Sequence, residues 1–572
     1  MKNILFFIFF LSLLNFAKSQ KVDSLPINYF RSPLGIPLYL AGNFGELRSN
    51  HFHSGLDMKT QGREGFNVYA AADGFVSRIK ISPWGYGNTI YIDHPNGYTT
   101  VYAHLQQYKG LIADLIKDYQ YQNESWEIDW YPADTLMKVK KGDIIALSGN
   151  SGGSGGPHLH FEIRETESEH PINPLLCDFD IKDNIKPIIK SIAIFPLNDT
   201  SYVNNKNVMQ QFYVIGSNGT YQLRYNTPIN VYGQIGIGIE TIDKLNDVSN
   251  RNGIYSIQLS NNKEIIYKSE MKKFSFDESR ALNSLIDYET YLRSKTRFQK
   301  SFIEENNPLS IYTSQKNKGI IKMSNATNNL FDYLITDSYG NTSSLQFTLT
   351  GLKPTATSPK LKSKIDTLFS YENDNFFDKQ NIRMEIPKNA LYKNLEFQFQ
   401  IKDTMRGAIT PTYQLHNDYT PLHDYMTISI KPGRISEELR NKAIIVNIDR
   451  NGRFYSRGGE WRNNYLSAKS KVFGGYTIMI DTIAPTIKPY NIYANKNMSR
   501  NSSIIVSIAD NLSGVKSYRG EIDGKWILME YESKKAHLIH EFDNLPSGNH
   551  TFKLTVTDDV GNTTTTEIPF IR

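Results

Sequence analysis

The sequence predicts a mainly β chain, with an N-terminal antiparallel β domain followed by two or three β-sandwich modules. Three observations support this fold class. The 572 residues exceed what one hydrophobic core usually holds, so about three or four domains are expected. Short alternating apolar and polar runs, separated by turn residues, recur along the chain. Turn motifs also repeat between later parts of the sequence, which indicates related modules.

The composition and the first residues indicate a globular, exported protein. A hydrophobic content of 39% with 12% aromatic residues is typical of folded domains. The net charge of +6 is small for this length and spread along the chain, so no nucleic-acid partner is expected. Residues 1–19 combine Lys2, an apolar run and Ala17-Lys18-Ser19, which predicts a signal peptide cut after Ser19. The apolar run is too short to span a membrane comfortably, and no other segment approaches transmembrane length.

Cysteine usage bears on the compartment. Cys177 is the only cysteine, so the chain can form no internal disulfide. An exported chain of this size without a disulfide framework fits a bacterial envelope, either periplasmic or outer-envelope and extracellular. Within "PLLCDF", Cys177 is expected to be a small buried hydrophobic residue.

Residues 20–180 form the predicted N-terminal β domain. "NTIYIDH" and "YTTVYAHL" flank "PNG", which predicts a hairpin with a tight turn at Asn96-Gly97. "GFNVYAAADGFVSRIKI" predicts two strands around Asp73-Gly74, and "GDIIALSG" and "HLHFEIR" predict further strands. The domain is therefore expected to be mostly antiparallel.

An insertion at about residues 106–136 interrupts this pattern. "GLIADLIKDYQYQ" has helical spacing of its apolar residues, and "SWEIDWYP" alternates like a strand and carries Trp126 and Trp130. The insertion is either a packed addition to the domain or a rim that faces the substrate.

After residue 180 the chain is rich in strands and Asn-containing turns. We divide it into a first module (181–352), a middle module (353–480) and a last module (481–572). The first and last modules are predicted to be related β-sandwiches that resemble bacterial immunoglobulin-like modules. The first module is longer and contains a helix-like segment, "SFDESRALNSLIDYETYLRS". The middle module is strand-rich but lacks the repeated markers.

The repeated markers are short motifs near both ends of the first and last modules. "DNIKPII" begins at Asp183 and "DTIAPTI" at Asp481, each with Pro four residues after Asp. "TDSYGNT" begins at Thr336 and "TDDVGNT" at Thr557. Their Asp, Asn and Gly residues suit turns, and calcium binding is the alternative.

Chemistry is expected in the N-terminal domain, because seven of the twelve histidines precede residue 171. In "SGNSGGSGGPHLHFEIR", a glycine-rich run leads into His158 and His160. On a strand, residues two apart share one face, so these imidazoles emerge together while Leu159 and Phe161 enter the core. The pair supplies either two metal ligands or one ligand and one catalytic partner.

A second group lies upstream in "NHFHSGLDMKT". His53 and Asp57 are four residues apart, and Gly55 between them argues against a helix. Imidazole and carboxylate are both zinc ligands, and one downstream histidine would complete three protein ligands with a fourth position for water. His51 competes as a ligand but lacks the spacing to Asp57. His104, at the end of "TTVYAHL", would by itself be a half-buried strand histidine.

Together the motifs resemble one family. "GNFGELRSNHFHSGLD", "VYAAADGFV", "YAHL", "VKKGDIIALSGNSGGSGGPHLHFEIR" and "PINPL" follow the order of lysostaphin/LytM-type zinc metallopeptidases over about residues 33–176. The resemblance implies that His53, Asp57 and His160 bind Zn²⁺. It also implies that His104 and His158 act on the substrate as catalytic residues.

The resemblance implies a secreted zinc endopeptidase that hydrolyses peptide cross-links of bacterial peptidoglycan. Zinc would activate water, and imidazoles would stabilise the oxyanion and shuttle a proton, with the two roles not divided between His104 and His158. The glycine-rich run would let the backbone pass close to an extended peptide. The stem peptides are the expected partner, with the D-Ala–diaminopimelate link favoured over glycine bridges.

Two alternatives stay open. Some family members have lost ligands and activate other hydrolases, so the chain could be a non-catalytic envelope scaffold; all five positions are occupied here, which favours an enzyme. An exported protease acting on proteins is the other, favoured by the Trp-bearing insertion. The tail modules provide spacing and stability, or bind envelope proteins or glycans.

Overall fold

A computed structural model describes residues 25–225, 227–355 and 365–572. The chain is mainly β, as predicted, with an N-terminal β domain followed by several β-sheet modules. The predicted signal peptide lies outside the described residues. Among the described residues, no helix is long and apolar enough to cross a membrane.

The N-terminal domain is built from short strands and one longer helix. Its elements are β1 (Leu40–Gly42), β2 (Leu56–Lys59), β3 (Asn67–Tyr69), β4 (Gly74–Ile81), β5 (Thr89–Asp93), β6 (Tyr98–Ala103), β7 (Leu105–Tyr108), α1 (Gly110–Gln122), β8 (Ile128–Trp130), β9 (Lys138–Val139), β10 (Ile144–Ser148), β11 (His158–Glu165) and β12 (Pro171–Ile172). The main sheet runs β1-β2-β11-β6-β5-β4-β8, with β12 beside β11 and β9 beside β4. A second sheet runs β3-β10-β7.

The local predictions for this domain agree with the structure. The hairpin around Asn96-Gly97 joins β5 to β6, and "GLIADLIKDYQYQ" is helix α1. The two strands around Asp73-Gly74 form, but they lie in different sheets, so the segment between them is a corner rather than a hairpin. Cys177 ends a short 3-10 helix and is buried, as expected.

The centre of the main sheet holds the strands that carry the predicted site. Strand β11 pairs antiparallel with β2 on one side and with β6 on the other. Directly opposite His160 lie Asp57 on β2 and Ala103 on β6. Leu159 and Phe161 are fully buried beneath the sheet, as the alternation predicted. This register brings the three sequence motifs that contain Asp57, His104 and His160 close together.

The first module is built around the long strand β17 and the β23–β24 hairpin. Its elements are β13 (Ile188–Pro196), β14 (Tyr202–Val203), β15 (Gln210–Ser217), β16 (Thr220–Leu223), β17 (Ile229–Ile242), β18 (Ser256–Asn261), β19 (Glu264–Glu270), α2 (Phe276–Ser279), α3 (Leu282–Leu285), α4 (Tyr288–Ser294), β20 (Gln299–Lys300), β21 (Tyr312–Gln315), β22 (Ile321–Met323), β23 (Asn328–Thr336) and β24 (Thr342–Gly351). The helix-like segment of the sequence is thus three short helices, the first closed by a capping box between Ser275 and Glu278.

The middle module contains two five-stranded sheets and a short two-stranded one within its described residues. Its elements are β25 (Thr367–Phe369), β26 (Asn375–Lys379), β27 (Ile382–Ile386), β28 (Leu395–Phe397), β29 (Phe399–Lys402), β30 (Thr412–Leu415), β31 (Pro421–Ile430), α5 (Glu437–Arg440), β32 (Ala443–Ile448), β33 (Phe454–Ser456), β34 (Glu460–Arg462), β35 (Tyr465–Val472) and β36 (Gly474–Ile480).

The last module contains two sheets, one ordered β37-β39-β43-β42 and the other β38-β45-β44-β40-β41. The strands are β37 (Thr486–Pro489), β38 (Lys496–Asn497), β39 (Ser503–Ala509), β40 (Val515–Ile522), β41 (Lys525–Trp526), β42 (Glu530–Glu532), β43 (His537–Glu541), β44 (Asn549–Asp558) and β45 (Thr563–Ile571). Alternate residues of the long β44–β45 hairpin face its core.

The first module packs against the loop that precedes β2. Phe44 and Phe52 of that loop are buried, and both contact the ring of Phe274, with centroids 5.0 and 5.4 Å apart. The N–H of Phe52 donates to Ser279 Oγ at 2.9 Å. The loop that carries His53 is therefore held between two parts of the chain rather than free in solvent.

The last module packs against the insertion. Lys117 and Tyr121 of α1 contact Asp543, and Glu124 pairs with Arg519 at 2.6 Å. Beyond the helix, Ser533 Oγ donates to the Pro83 carbonyl, and Lys534 donates to the Asn150 carbonyl. The insertion is packed against the last module, so α1 fits the interpretation of a packed addition rather than that of a rim facing the substrate.

The tryptophans of the insertion also contribute to packing. Trp126 is 8% exposed and belongs to the core of the N-terminal domain. Trp130 stacks on Tyr119, with ring centroids 4.5 Å apart and planes 11° from parallel. These positions weaken the argument that the insertion offers tryptophans to a protein substrate.

The close approach of β2 and β11 makes Gly55 a testable constraint. A Cβ on Gly55 would lie 2.3 Å from the Phe161 carbonyl oxygen, whereas one on Gly155 would meet no atom within 4 Å. We expect Gly55→Ala to lower the free energy of unfolding of this domain by about 1–3 kcal/mol, as overpacking does. Gly155→Ala is the matched control and should leave the transition unchanged. Differential scanning calorimetry measures both, and equal transitions would contradict the register described.

Candidate metal and catalytic site

Three buried side chains converge where β2 and β11 meet. His53 Nε2 lies 3.0 Å from both Asp57 Oδ1 and His160 Nδ1, and the last two atoms are 2.9 Å apart. Each residue is 3–5% exposed. Donors bound to one tetrahedral zinc ion would be about 3.3 Å apart, so this group could hold a metal ion with little movement.

Each residue of this group reaches the centre from a different backbone element. Asp57 lies on β2 and His160 directly opposite on β11. His53 precedes β2, in a turn where its backbone exchanges hydrogen bonds with Gly45 and Glu46 at 2.9 Å. The pleat aims Asp57 and His160 to one face, while tertiary hydrogen bonds bring His53 beside them.

The outer atoms of the two histidines are held by acceptors. His53 Nδ1 donates to the Asn43 carbonyl at 2.7 Å, and His160 Nε2 donates to Glu162 Oε1 at 2.8 Å. These bonds place the ring proton on the far side of each imidazole. The inner nitrogens, His53 Nε2 and His160 Nδ1, therefore face the centre, as metal ligation requires.

Arg48 orients the carboxylate of Asp57 in a similar way. Its Nη2 donates to Asp57 Oδ2 at 2.5 Å and to Glu46 Oε2 at 3.2 Å. Asp57 is thereby held with Oδ1 facing the histidines. Gly42 makes room for this pair, because a Cβ there would lie 2.6 Å from Arg48 Nη2. No motif in the sequence pointed to a role for Arg48.

Glu162 anchors a buried polar network behind His160. The fully buried carboxylate accepts from Arg164 Nε at 2.6 Å, and from the Tyr86 and Ser54 hydroxyls at 2.5 Å each. Burial opposes its charge, but Arg164 and His160 hold the pKa of Glu162 well below its usual range. Glu162 was not predicted, although it shares the strand face of His158 and His160, and that alternation was the available signal.

The electrostatics of the group follow from this network. Burial disfavours charge on His160, yet the hydrogen bonds that its ring donates to Asp57 and Glu162 outweigh burial and raise the pKa of His160 to about 9. Burial lowers the pKa of His53 despite the nearby Asp57. Burial also opposes the charge of Asp57, but the surrounding histidines hold its pKa well below the usual range. Negative charge is thus concentrated on the carboxylate at the centre.

His104 and His158 lie beside this group with their rings 4.8 Å apart. His104 Nδ1 donates to the Ser151 carbonyl at 2.9 Å, and His158 Nδ1 donates to the Gly156 carbonyl at 2.8 Å. His158 Nε2 is 3.3 Å from Asp57 Oδ1. Burial and the nearby histidines lower the pKa of His104 to about 3, which keeps its ring neutral at physiological pH.

The backbone at His104 is unusual for a non-glycine residue, with φ of +58°. His104 stands between β6 and β7, where the chain passes from the main sheet to the second sheet. The kink turns the ring towards His158 and His160 rather than along the strand. The sequence predicted only a strand-end histidine, because alternation carries no signal for this conformation.

The structure places all five predicted residues in one cluster and leaves His51 outside it. His51 is exposed, and its Nδ1 contacts the Ser49 carbonyl at 2.8 Å. Tyr86, which was not predicted, stacks on His160 with centroids 5.1 Å apart and borders a cavity of about 470 Å³.

The glycine-rich run serves packing within the chain at two positions. A Cβ on Gly149 would lie 2.4 Å from the Gln106 backbone nitrogen, and one on Gly152 would lie 2.4 Å from the Gly87 nitrogen. These close approaches place the Ser151 carbonyl against His104. At Gly155 and Gly156 the space around a Cβ is open, so the predicted permissive wall is confined to that end of the run.

Comparison with known families adds two matches. Residues 51–120 and 132–174 match the model of Peptidase family M23, and the gap between them falls within the predicted insertion. Residues 366–481, in the middle module, match a Zu5-like domain. The sequence pattern of this module indicates only that it is rich in strands.

Individual relatives match about a quarter of this chain. An uncharacterized metalloprotease of Haemophilus influenzae is 35% identical over 27% of this chain and 29% of its own length. The peptidoglycan DD-endopeptidase ShyA of Vibrio cholerae is 31% identical over 28% of this chain and 33% of its own. The chain thus spans a third or less of the length of these relatives.

A solved structure matches a similar share of the chain. The catalytic domain of the M23 protein EnpA from Enterococcus faecalis is 24% identical, covering 26% of this chain and 95% of that chain, with a TM-score of 0.19. The N-terminal region of this chain is a Peptidase family M23 domain of the LytM/lysostaphin type.

Proposed function

We propose that the protein is an exported zinc metalloendopeptidase that hydrolyses peptide cross-links of bacterial peptidoglycan. The observation that carries the proposal is the buried His53–Asp57–His160 group, whose outer atoms are all hydrogen-bonded so that one nitrogen or oxygen of each residue faces a common point. The relative named peptidoglycan DD-endopeptidase supports the substrate class. The proposal of export is based on the predicted signal peptide, and the protein is expected to act in the bacterial envelope.

The donor set suits zinc. Two imidazole nitrogens and one carboxylate oxygen are a catalytic zinc triad that leaves a fourth position open. When bound there, zinc lowers the pKa of a coordinated water to about 7 and polarises the scissile carbonyl. Arg48 and Glu162 hold Asp57 and His160 in place for it.

His104 and His158 are proposed to move protons at the substrate. Both donate their Nδ1 protons to backbone carbonyls, which leaves Nε2 of each ring to exchange protons. The pKa of His104 is lowered to about 3, so its Nε2 is a proton acceptor in the resting state. Such a ring can take a proton from the attacking water, donate a hydrogen bond to the tetrahedral oxygen, and pass the proton to the leaving amine. An oxyanion-stabilising role therefore follows protonation rather than preceding it.

The favoured bond is the D-Ala–diaminopimelate cross-link. The name of the Vibrio relative, a DD-endopeptidase, supports a bond between two D-centres. The complete donor group weighs against a scaffold that has lost its ligands. The burial of Trp126 removes one argument for a protease acting on proteins.

We propose the division into an N-terminal domain (20–180) and three modules, with the modules as part of the catalytic architecture. Asn43, whose carbonyl holds His53, exchanges two side-chain hydrogen bonds with Gly253 of the first module, at 2.9 and 2.8 Å. The last module reaches the loops at Pro83 and Asn150. These contacts support buttressing of the site beyond simple spacing.

The substrate is tested with purified diaminopimelate-type sacculi. We expect the mature protein to convert cross-linked dimers into monomers, detected by mass spectrometry of the released muropeptides. His160→Ala and excess chelator should abolish conversion, whereas His51→Ala, outside the donor group, should retain it. Unchanged dimers with one zinc per chain would reject this substrate, and unchanged dimers without zinc would favour the scaffold.

A second test separates ligands from proton-handling residues. We expect His160→Ala to lose bound zinc, because one of three donors is gone. His104→Ala and His158→Ala should keep about one zinc per chain but lose about 10²–10⁴-fold in kcat. Atomic absorption and steady-state kinetics measure the two quantities. Loss of zinc in His104→Ala would place that residue among the ligands instead.

A third test concerns the network behind His160. Glu162→Gln removes the charge that orients His160 and leaves Arg164 buried without its partner. We expect zinc affinity to fall about 10–100-fold, as outer-shell substitutions do. Glu165→Gln, on the opposite face of the same strand, is the control. Competition with a chromogenic chelator measures both, and equal affinities would show that Glu162 has no orienting role.

A further inference from the structure

Two groups of three aspartates recur at matching places in the first and last modules. The first group is Asp183, Asp243 and Asp337, and the second is Asp481, Asp510 and Asp558. In each group one carboxylate oxygen per residue lies within 4.8 Å of the others. Oxygens bound to one calcium ion at about 2.4 Å can be at most about 4.8 Å apart, so each group has the required spacing.

The two groups have the same construction. The first aspartate lies five residues before the opening strand of its module, and the second directly follows β17 or β39. The third stands at the end of the first strand of the final hairpin, as Asp337 just after β23 or Asp558 as the last residue of β44. Asn341 Nδ2 donates to Asp337 Oδ2 and to the Asp183 carbonyl. Asn562 makes the same pair of bonds to Asp558 and Asp481. The repeat markers of the sequence thus build one arrangement twice.

Buried polar atoms without partners point into the first group. Asp243 is 2% exposed, and its Oδ1 has no hydrogen-bond partner among the described residues. Asn252 is 4% exposed, and neither of its side-chain amide atoms has a partner there. Asn252 pairs directly with Asp243 in an antiparallel bridge, which puts both side chains on one face. Such atoms call for a ligand, since leaving them unpaired is costly.

The second group also contains buried polar atoms without hydrogen-bond partners among the described residues. Ser513 is 4% exposed, its Oγ has no partner within the described chain, and its N–H donates to Asp481 Oδ2. Asp510 Oδ1 is also without a partner in that part of the chain. Asp481 and Asp558 are both buried.

Nothing in the described chain neutralises these charges. Among the described residues, no Lys, Arg or His lies within ion-pair distance of any of the six carboxylates. Burial and the neighbouring carboxylates raise the pKa of Asp243 to about 8. Burial and Asp337 raise that of Asp183 to about 7. Three crowded acids with all-oxygen donors suit a hard divalent cation rather than zinc.

We propose that each group binds one calcium ion at the point where the chain enters its module. Asp183 lies between Ile181 of the N-terminal core and Ile189 of the first module's core. Asp481 follows β36 of the middle module, and its N–H donates to the Lys442 carbonyl. Each ion therefore ties an incoming segment to the far end of the module, which fixes the junction.

The test uses the full mature chain loaded with zinc and stripped of loosely bound cations on a chelating resin. Titration with calcium chloride by calorimetry is expected to show two ions per chain. At calcium a hundred times its dissociation constant, the module transitions should rise by about 5–10 °C. Asp243→Asn and Asp510→Asn should each remove one ion, while Asp247→Asn, an exposed neighbour in the first module, should keep both.

The asparagine variants distinguish a cation site from a turn. Asn keeps the shape of Asp243 but removes its charge, so the calcium-free transition should hold or rise while the response to calcium is lost. Loss of one ion in only one variant would support that group and reject the other. No bound calcium in the parent chain, or binding that both variants retain, would overturn the proposal. Calcium binding is measured without substrate, so it is independent of hydrolysis.

Discussion

The pairing of β2 with β11 is the constraint on which the rest of the site depends. It sets Asp57 directly opposite His160, and on the other side of β11 the residue opposite His160 is Ala103 of β6, which is followed by His104. A shift of one residue would turn His160 into the core and bring Leu159 or Phe161 to the surface. Burial of the apolar side chains beneath the sheet therefore fixes the register, and the register positions Asp57 and His160 next to each other.

Burial gives the site its precision and creates an electrostatic problem. Glu162 and Arg164 are almost wholly withdrawn from water and are stable only as a hydrogen-bonded pair, with Tyr86 and Ser54 completing the acceptor capacity. The same network fixes the ring of His160. The buried polar residues behind the donor group thus lose their contact with water, and their hydrogen bonds fix the orientation of His160.

The first and last modules both contact the N-terminal domain close to the donor group. Asp243 of the first aspartate group pairs with Asn252, and Gly253, the next residue, hydrogen-bonds Asn43, whose carbonyl accepts from His53. On the other side, the last module contacts α1 and the glycine-rich run near Asn150. The support of the donor group is therefore spread over parts of the chain more than 200 residues apart.

Local patterns in the sequence determined the β class, the hairpin at Asn96-Gly97, helix α1 and the shared face of His158 and His160, because periodicity and turn chemistry act over a few residues. The motif order determined the family of the N-terminal domain. Only the tertiary structure decided the roles of Arg48, Glu162 and Asn43, the left-handed backbone of His104, and the meeting of Asp243 with Asp183 and Asp337. These depend on contacts between segments far apart in the chain, and the position of a single Asp, Glu or Arg carries no record of its distant partner.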